Sequence, residues 1–265
     1  MHLSEIHIYP VKSLRGISPA FWSLDSLGLA QDRRWMLVDD DGSFVTQRRQ
    51  ARMALVDTAL QGDRLWLRAP AMADLCVAEP GEDAERMQTR VWRDQVRARY
   101  AGVEAADWLS EFLGESVRLV HFPDGAERPV DPCYAAAGDR TAFADGFPLL
   151  LISEASLADL NARLAQPLPM RRFRPNLVIG GTEPYAEDRW SRIRIGETTF
   201  RVVKPCSRCV ITTIDPETGV RGKEPLATLA RYRRLANDVF FGQNLIHDGI
   251  GTLRLGDPVE VLGMQ

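Results

Sequence analysis

The chain is poor in cysteine and histidine, with only four of each among 265 residues. Cys76, Cys133, Cys206 and Cys209 are too few for a disulfide scaffold. Long apolar runs are missing as well. The longest, Phe147 to Ile152, falls far short of the roughly 20 residues that a membrane-crossing helix needs. The N-terminus, MHLSEIHIYPVKS, lacks the basic start and apolar stretch of a secretory signal. Nor is there an excess of positive charge. Lys and Arg number 33 against 36 Asp and Glu, for a net charge of −3, which argues against a protein that coats nucleic acid. Together these absences lead us to expect a reducing, cytoplasmic setting with no membrane and no nucleic-acid partner.

What remains is an ordinary globular mix, 45% hydrophobic and 26% charged, long enough to bury a sizeable core in one large or two small domains. No repeat, low-complexity tract or heptad run interrupts it. The first half reads as strands. Leu3 to Tyr9 is one. Arg34 to Val38 and Ser43 to Thr46 flank an Asp-Gly turn, and Leu55 to Leu60 and Leu65 to Arg68 flank Gln61-Gly62-Asp63. Thr89 to Trp92 and Val96 to Tyr100 form a third hairpin around Arg93-Asp94-Gln95. Short strands at this spacing suggest a barrel or sandwich. Ala105, Trp108, Leu109, Phe112 and Leu113 fall at helical spacing, with Gly114 as a stop, before a strand from Val117 to Phe122. Pro123 to Asp139 then reads either as a connection between lobes or as an active-site loop.

The second half mixes types. Phe147 to Ile152 is a strand, and Ser153 caps a helix from Glu154 to about Leu164. Arg174 to Ile179 is a strand, Ile193 to Val203 a hairpin turned at Gly196, and Pro225 to Leu235 a helix. Phe240 to Ile246 and Leu253 to Leu262 close the chain. The fold class is therefore α+β and predominantly β. The chain divides near residue 120 into a strand-rich first part, 1–120, and a mixed second part, 121–265.

The segment Lys204-Pro205-Cys206-Ser207-Arg208-Cys209-Val210-Ile211-Thr212-Thr213 carries the most chemistry. Three readings of its cysteine pair compete. A thioredoxin-like pair should open a helix, whereas β-branched residues surround this one. A structural zinc site would need a second ligand pair, which Cys76, Cys133, His2, His7, His121 and His247 do not supply. The third reading is two small apolar thiols packed in a core. Arg208 and Lys204 weigh against that, because positive charge favours thiolate, which is both a nucleophile and a soft metal ligand. Further cations recur at Lys12, at Arg33-Arg34 and at Arg171-Arg172-Phe173-Arg174. Any one of them could be a solvated surface charge. They matter if the fold gathers them.

The ordered set Tyr9-Pro10-Val11-Lys12-Ser13, Asp32-Arg33-Arg34-Trp35, Ile152 to Leu157, Phe173-Arg174-Pro175-Asn176, Cys206 to Thr213, Asp215 to Gly219 and Gly256-Asp257-Pro258-Val259 resembles the MOSC-domain proteins with an N-terminal MOSC β-barrel extension. That family includes amidoxime-reducing components and the bacterial YcbX-like proteins, and the resemblance runs from residue 9 to 259. It implies an N-terminal β-barrel domain over residues 1–120, a second β-barrel domain with a few helices over 121–265, and a molybdenum cofactor, Mo-molybdopterin. Cys209 would be the metal ligand and the catalytic residue. Lys12, Ser13, Arg33, Arg174, Asn176, Ser207 and Arg208 would bind the pterin or its phosphate. Cys206 is read as structural, and a pyridoxal-phosphate-binding association also travels with the family. The implied activity is reduction of small N-hydroxylated compounds, namely amidoximes, hydroxylamines and N-hydroxylated bases. The alternative is a cofactor carrier or sulfur-transfer protein using Cys209. Asp145 and Asp215 are candidates for a proton relay or, as readily, for capping turns. No ferredoxin-type cysteine set or nucleotide fingerprint is present, so electrons would come from a separate electron-transfer protein or flavoprotein reductase. The chain opens directly on its first strand, so the expectation is a bacterial, soluble monomer.

Overall fold

A computed structural model describes residues 1–265. It contains eighteen strands and three α-helices, and so bears out a predominantly β fold of the α+β class. Alternation of apolar and polar residues sets most strands, as in Trp190–Ile195, where Trp190, Ile193 and Ile195 are buried and Arg192 and Arg194 are exposed.

The largest sheet runs in the order His2–Ile6, Leu177–Gly180, Leu149–Ser153, Asp238–His247, Thr198–Ser207, Trp190–Ile195 and Val259–Met264. Its two ends meet. His2 bridges Pro258, Leu3 N–H donates to Asp257 O at 2.9 Å, and Gly256 N–H donates to Leu3 O at 2.8 Å. The sheet therefore closes on itself, which removes the exposed edges. Phe21–Asp25 also pairs with Gly251–Arg254, so the first residues of the chain complete the sheets of its second half. The other lobe holds Trp35–Val38, Arg118–His121, Asp94–Tyr100 and Arg86–Val91 in one sheet, and Asp57–Gln61, Arg64–Arg68 and Leu75–Ala78 in another.

Two cores of nearly equal size result, one of 18 buried residues inside the closed sheet and one of 17 in the other lobe. Leu3, Ile6 and Ile8 belong to the first, and Val11 and Leu14 to the second. The segment between them crosses from one core to the other, and Lys12 and Ser13 lie on that crossing.

The three expected hairpin turns form, two of them with changes. At the first, Ser43 to Thr46 makes only isolated bridges, Phe44 to Val38 and Ser43 to Arg90, rather than a strand. The turn after Val91 falls at Trp92-Arg93, with Trp92 at φ 56°. The helix Val103–Leu113 ends at Gly114 in the left-handed region (φ 73°). Ser153 caps the helix Glu154–Asn161, its hydroxyl accepting from Ser156 N–H, but the helix stops three residues before Leu164. The helix expected over Pro225 to Leu235 shrinks to Leu226–Leu229. Arg234 and Leu235 instead turn back through Ala236 (φ 51°) to pair with Val239 and Asp238. Gly256-Asp257-Pro258 splits the expected strand Leu253 to Leu262 in two.

Candidate functional site

All eight residues expected to bind or ligate line one cavity of about 150 Å³: Lys12, Ser13, Arg33, Arg174, Asn176, Ser207, Arg208 and Cys209. They come from four separate segments, which the crossing of the chain between cores draws together.

Lys12 is buried. Its ammonium donates to Phe143 O at 2.7 Å and to Asp145 Oδ1 at 2.5 Å. Burial pushes its pKa down to about 8, against the pull of Asp145. Desolvation opposes the charge on Asp145, but Lys12 and Arg48 outweigh it and hold that carboxyl well below the usual carboxylate range. Ser13 follows at φ 69°, its carbonyl accepting from Gln47 Nε2 at 2.6 Å.

Arg33 and Arg174 also adopt left-handed backbone, at φ 48° and 56°. Such conformations cost energy in non-glycine residues and persist where surrounding contacts impose them. Here both guanidinium groups lie over the buried Tyr9 ring, at 4.4 and 4.1 Å from its centre. Arg33 donates to Asp32 Oδ2 and to Asn176 Oδ1 at 2.9 Å, and Arg174 donates to Leu14 O at 2.6 Å. Burial pushes the Arg174 pKa down to about 10. Pro175, which has no N–H, delays the expected strand until Leu177.

Asn176 differs from what its motif suggests. Its Oδ1 accepts from Arg33 and from Leu150 N–H, and its Nδ2 donates to His7 O at 3.1 Å. The residue borders the cavity, but its amide locks Arg33 and two backbone segments in place.

The cysteine loop leaves the strand Thr198–Ser207 and enters a short 3₁₀ turn at Val210–Thr213. No α-helix begins there, which removes the thioredoxin-like reading. All four cysteines are free, and no group of three or more His, Cys, Asp or Glu is placed to hold a metal, which removes the zinc reading. Cys206 and Cys209 both line the cavity. Arg208 Nη1 donates to Cys206 Sγ at 3.0 Å and Nη2 donates to Phe173 O, while its Nε is buried without a partner. Cys206 is thus part of the cavity wall rather than a packed core thiol.

Arg48, Phe147 and Asn244 also line the wall and were not expected. Arg48 lies 4.8 Å from the Trp92 ring centre and 3.5 Å from Asp145 Oδ2. Its signal was the Arg48-Arg49 pair, of which Arg49 turns away to Asp39 and Glu115. Of the two relay candidates, Asp145 faces the cavity. Asp215 caps a turn, its Oδ1 accepting from Glu217 and Thr218 N–H. Among the lining residues Lys12, Arg33, Arg48, Arg174 and Arg208 face the single acid Asp145. That excess of cations, an orphaned guanidinium N–H and a half-buried thiol suit an anionic ligand that also presents a metal.

Fold and cavity together define a MOSC-type architecture. Residues 1–116 match the MOSC N-terminal beta barrel domain and residues 138–260 match the MOSC domain, so the chain belongs to the MOSC-domain proteins that carry this N-terminal barrel. Within that family it is similar to the amidoxime-reducing components. It is 37% identical to mitochondrial amidoxime-reducing component 1 of Homo sapiens over 98% of this chain and 83% of that protein. It is 36% identical to mitochondrial amidoxime reducing component 2 of Rattus norvegicus, over 97% of this chain and 82% of that protein. Component 1 of Xenopus laevis is 35% identical, over 97% of this chain and 81% of that protein. These relatives are vertebrate proteins named as mitochondrial, so the expectation of a bacterial, cytoplasmic chain finds no support and is withdrawn.

Proposed function

We propose that the chain is a reductase of N-hydroxylated compounds that works with a bound molybdenum cofactor. The observation that carries this reading is the placement of Cys209 in a cavity with Lys12, Arg33, Arg174 and Arg208. The family and the names of its relatives support it. When bound, the cofactor would supply the two-electron chemistry that removes oxygen from an N–OH group as water.

The chain's own part is to bind, orient and shield. The Cys209 thiolate would hold the metal, and Lys12, Ser13, Arg33, Arg174, Ser207 and Arg208 would hold the anionic pterin and its phosphate. Asn176 positions Arg33. Asp145 stays ionised and keeps the Lys12 ammonium at one place in the wall. Electrons would arrive from a separate protein docking at the mouth. Exposed Arg171, paired with Glu217 at 3.0 Å, would help to steer it, whereas the adjacent Arg172 is buried.

The test is turnover of an amidoxime by metal-loaded protein with an artificial one-electron donor. Loss of the N–OH group, and none with NADH alone, is expected. Stable metal loading without turnover would favour the carrier reading instead.

A further inference from the structure

A second cavity, of about 470 Å³, adjoins the first and shares Arg174 and Ile211 with it. Its wall holds Glu5, His7 and Ser18. Ser18 Oγ lies 2.8 Å from His7 Nδ1, and His7 Nε2 lies 2.7 Å from Glu5 Oε2. We propose that Ser18, His7 and Glu5 form a hydrolytic site, independent of the cofactor cavity, for small carboxylic esters bearing a negative charge.

The backbone builds the arrangement. Ile8 and Ile17 exchange both hydrogen bonds, at 2.9 and 2.8 Å, so His7 and Ser18 stand opposite each other one step further along. Glu5 is two residues before His7 and so shares its face. Asn176 fixes the His7 backbone at both ends: its carbonyl accepts from His7 N–H at 2.8 Å and its Nδ2 donates to His7 O. The imidazole itself is buried and stacks on Tyr9. Ser18 is exposed to the cavity mouth.

A nucleophile in reach of a base, itself oriented by a third group, is the signature of an activated serine. Glu5 accepts Nε2–H, which leaves Nδ1 free to accept the Ser18 proton. That hydrogen bond from His7 also holds the Glu5 carboxyl below its ordinary value. The two ring nitrogens exchange the roles they have in serine proteases, and the proton inventory is unchanged.

In the reaction, Ser18 Oγ bonds to the ester carbonyl carbon while its proton passes to Nδ1. The carbon–alkoxide bond then breaks, and Nδ1 returns the proton to the leaving oxygen as an alcohol. Water repeats the sequence and releases the acid, restoring Ser18. The sum is ester plus water to acid plus alcohol, with no redox change.

The preference for an anionic ester follows from the wall. Arg15, Arg171, Arg172 and Arg174 line the same cavity against two acids, Glu5 and Glu217, and Glu217 is taken up by Arg15 and Arg171. Arg172 is buried, its Nε and Nη1 have no partner, and its nearest acid, Asp215, is 3.6 Å away. A carboxylate on the substrate would sit in the field of an under-compensated guanidinium just behind the wall.

The experiment uses the full chain and needs no cofactor. The protein is treated with a fluorophosphonate and the adduct located by peptide mass spectrometry. The p-nitrophenyl esters of acetate and of succinate (a half-ester) are compared as substrates. The expected result is an adduct on Ser18, none in Ser18→Ala, and labelling slowed about 100-fold in His7→Gln at unchanged melting temperature. The half-ester should be the better substrate, and Arg172→Gln should erase its advantage. No adduct on Ser18, labelling of His7→Gln at the wild-type rate, or equal hydrolysis by wild type and Ser18→Ala would overturn the proposal. An advantage for the half-ester that survives Arg172→Gln would overturn the assigned substrate charge.

Discussion

Lys12 shows how burial and charge compete at a single residue. Its pKa of about 8 reflects burial first, then the opposing pull of Asp145, with Arg128 and Arg33 adding repulsion. Below that pH the ammonium is already charged and waiting for an anion. Above it, binding an anion must also take up a proton. Retention of the anionic cofactor should therefore be flat below about pH 8 and fall by up to about tenfold per pH unit above it. Dialysis followed by pterin fluorescence measures this, and a flat profile through pH 8 would remove Lys12 from the site. Arg174 and Arg48 separate two kinds of arginine. Arg174 donates to Leu14 O and covers Tyr9, so Arg174→Ala should lower both melting temperature and cofactor retention. The Arg48 side chain is held only by Asp145 and Trp92, so Arg48→Ala should lower retention with a stability change within about 0.5 kcal/mol. The same contrast marks the limit of reading residues from sequence. Cys209, Lys12, Arg33 and Arg174 were legible because cations and a thiol recur within ordered motifs. The latch role of Asn176 was not, because a motif names a residue without naming its partners. Asn244 was silent because it stands alone in its segment, and Arg48 because nothing in the Arg48-Arg49 pair tells which of the two turns inward.

At the scale of elements, turns and caps were read more accurately than helix lengths. Gly62, Gly114 and Gly196 have local causes that a short window contains. The shortened helix Leu226–Leu229 does not, because Arg233 is held by Asp188, 2.6 Å away and 45 residues distant in sequence. Gly242 is the sharpest local demand. It interrupts Asp238–His247 at φ 83°, and a Cβ there would lie 2.6 Å from Ile152 Cγ1 and 2.7 Å from Leu151 O. Gly242→Ala should destabilise the fold by about 1–3 kcal/mol or more, read as a lower urea midpoint. An unchanged midpoint would mean that this strand relaxes freely.

For the whole molecule, the decisive feature is that its first strand closes a sheet built by its last hundred or so residues. No local pattern announces such a pairing. It carries Lys12 and Ser13 across the gap between cores, where they meet a cysteine loop nearly two hundred residues away. The net charge of −3 hides a cavity with five cations and one acid. Electrostatic steering of an acidic redox partner toward that mouth would weaken as the Debye length falls from about 10 Å at 0.1 M salt to about 3 Å at 1 M. Partner-driven turnover should fall accordingly, while turnover with a small neutral donor should not. Equal salt dependence of the two would place docking elsewhere.

The central claim is that Cys209 holds molybdenum in this cavity. Metal content and bound pterin, measured on protein purified from a host that makes the cofactor, test it directly. The account predicts comparable loading in wild type and Cys206→Ala, and loss of the metal in Cys209→Ala at unchanged fold. Full metal content in a folded Cys209→Ala protein would contradict it.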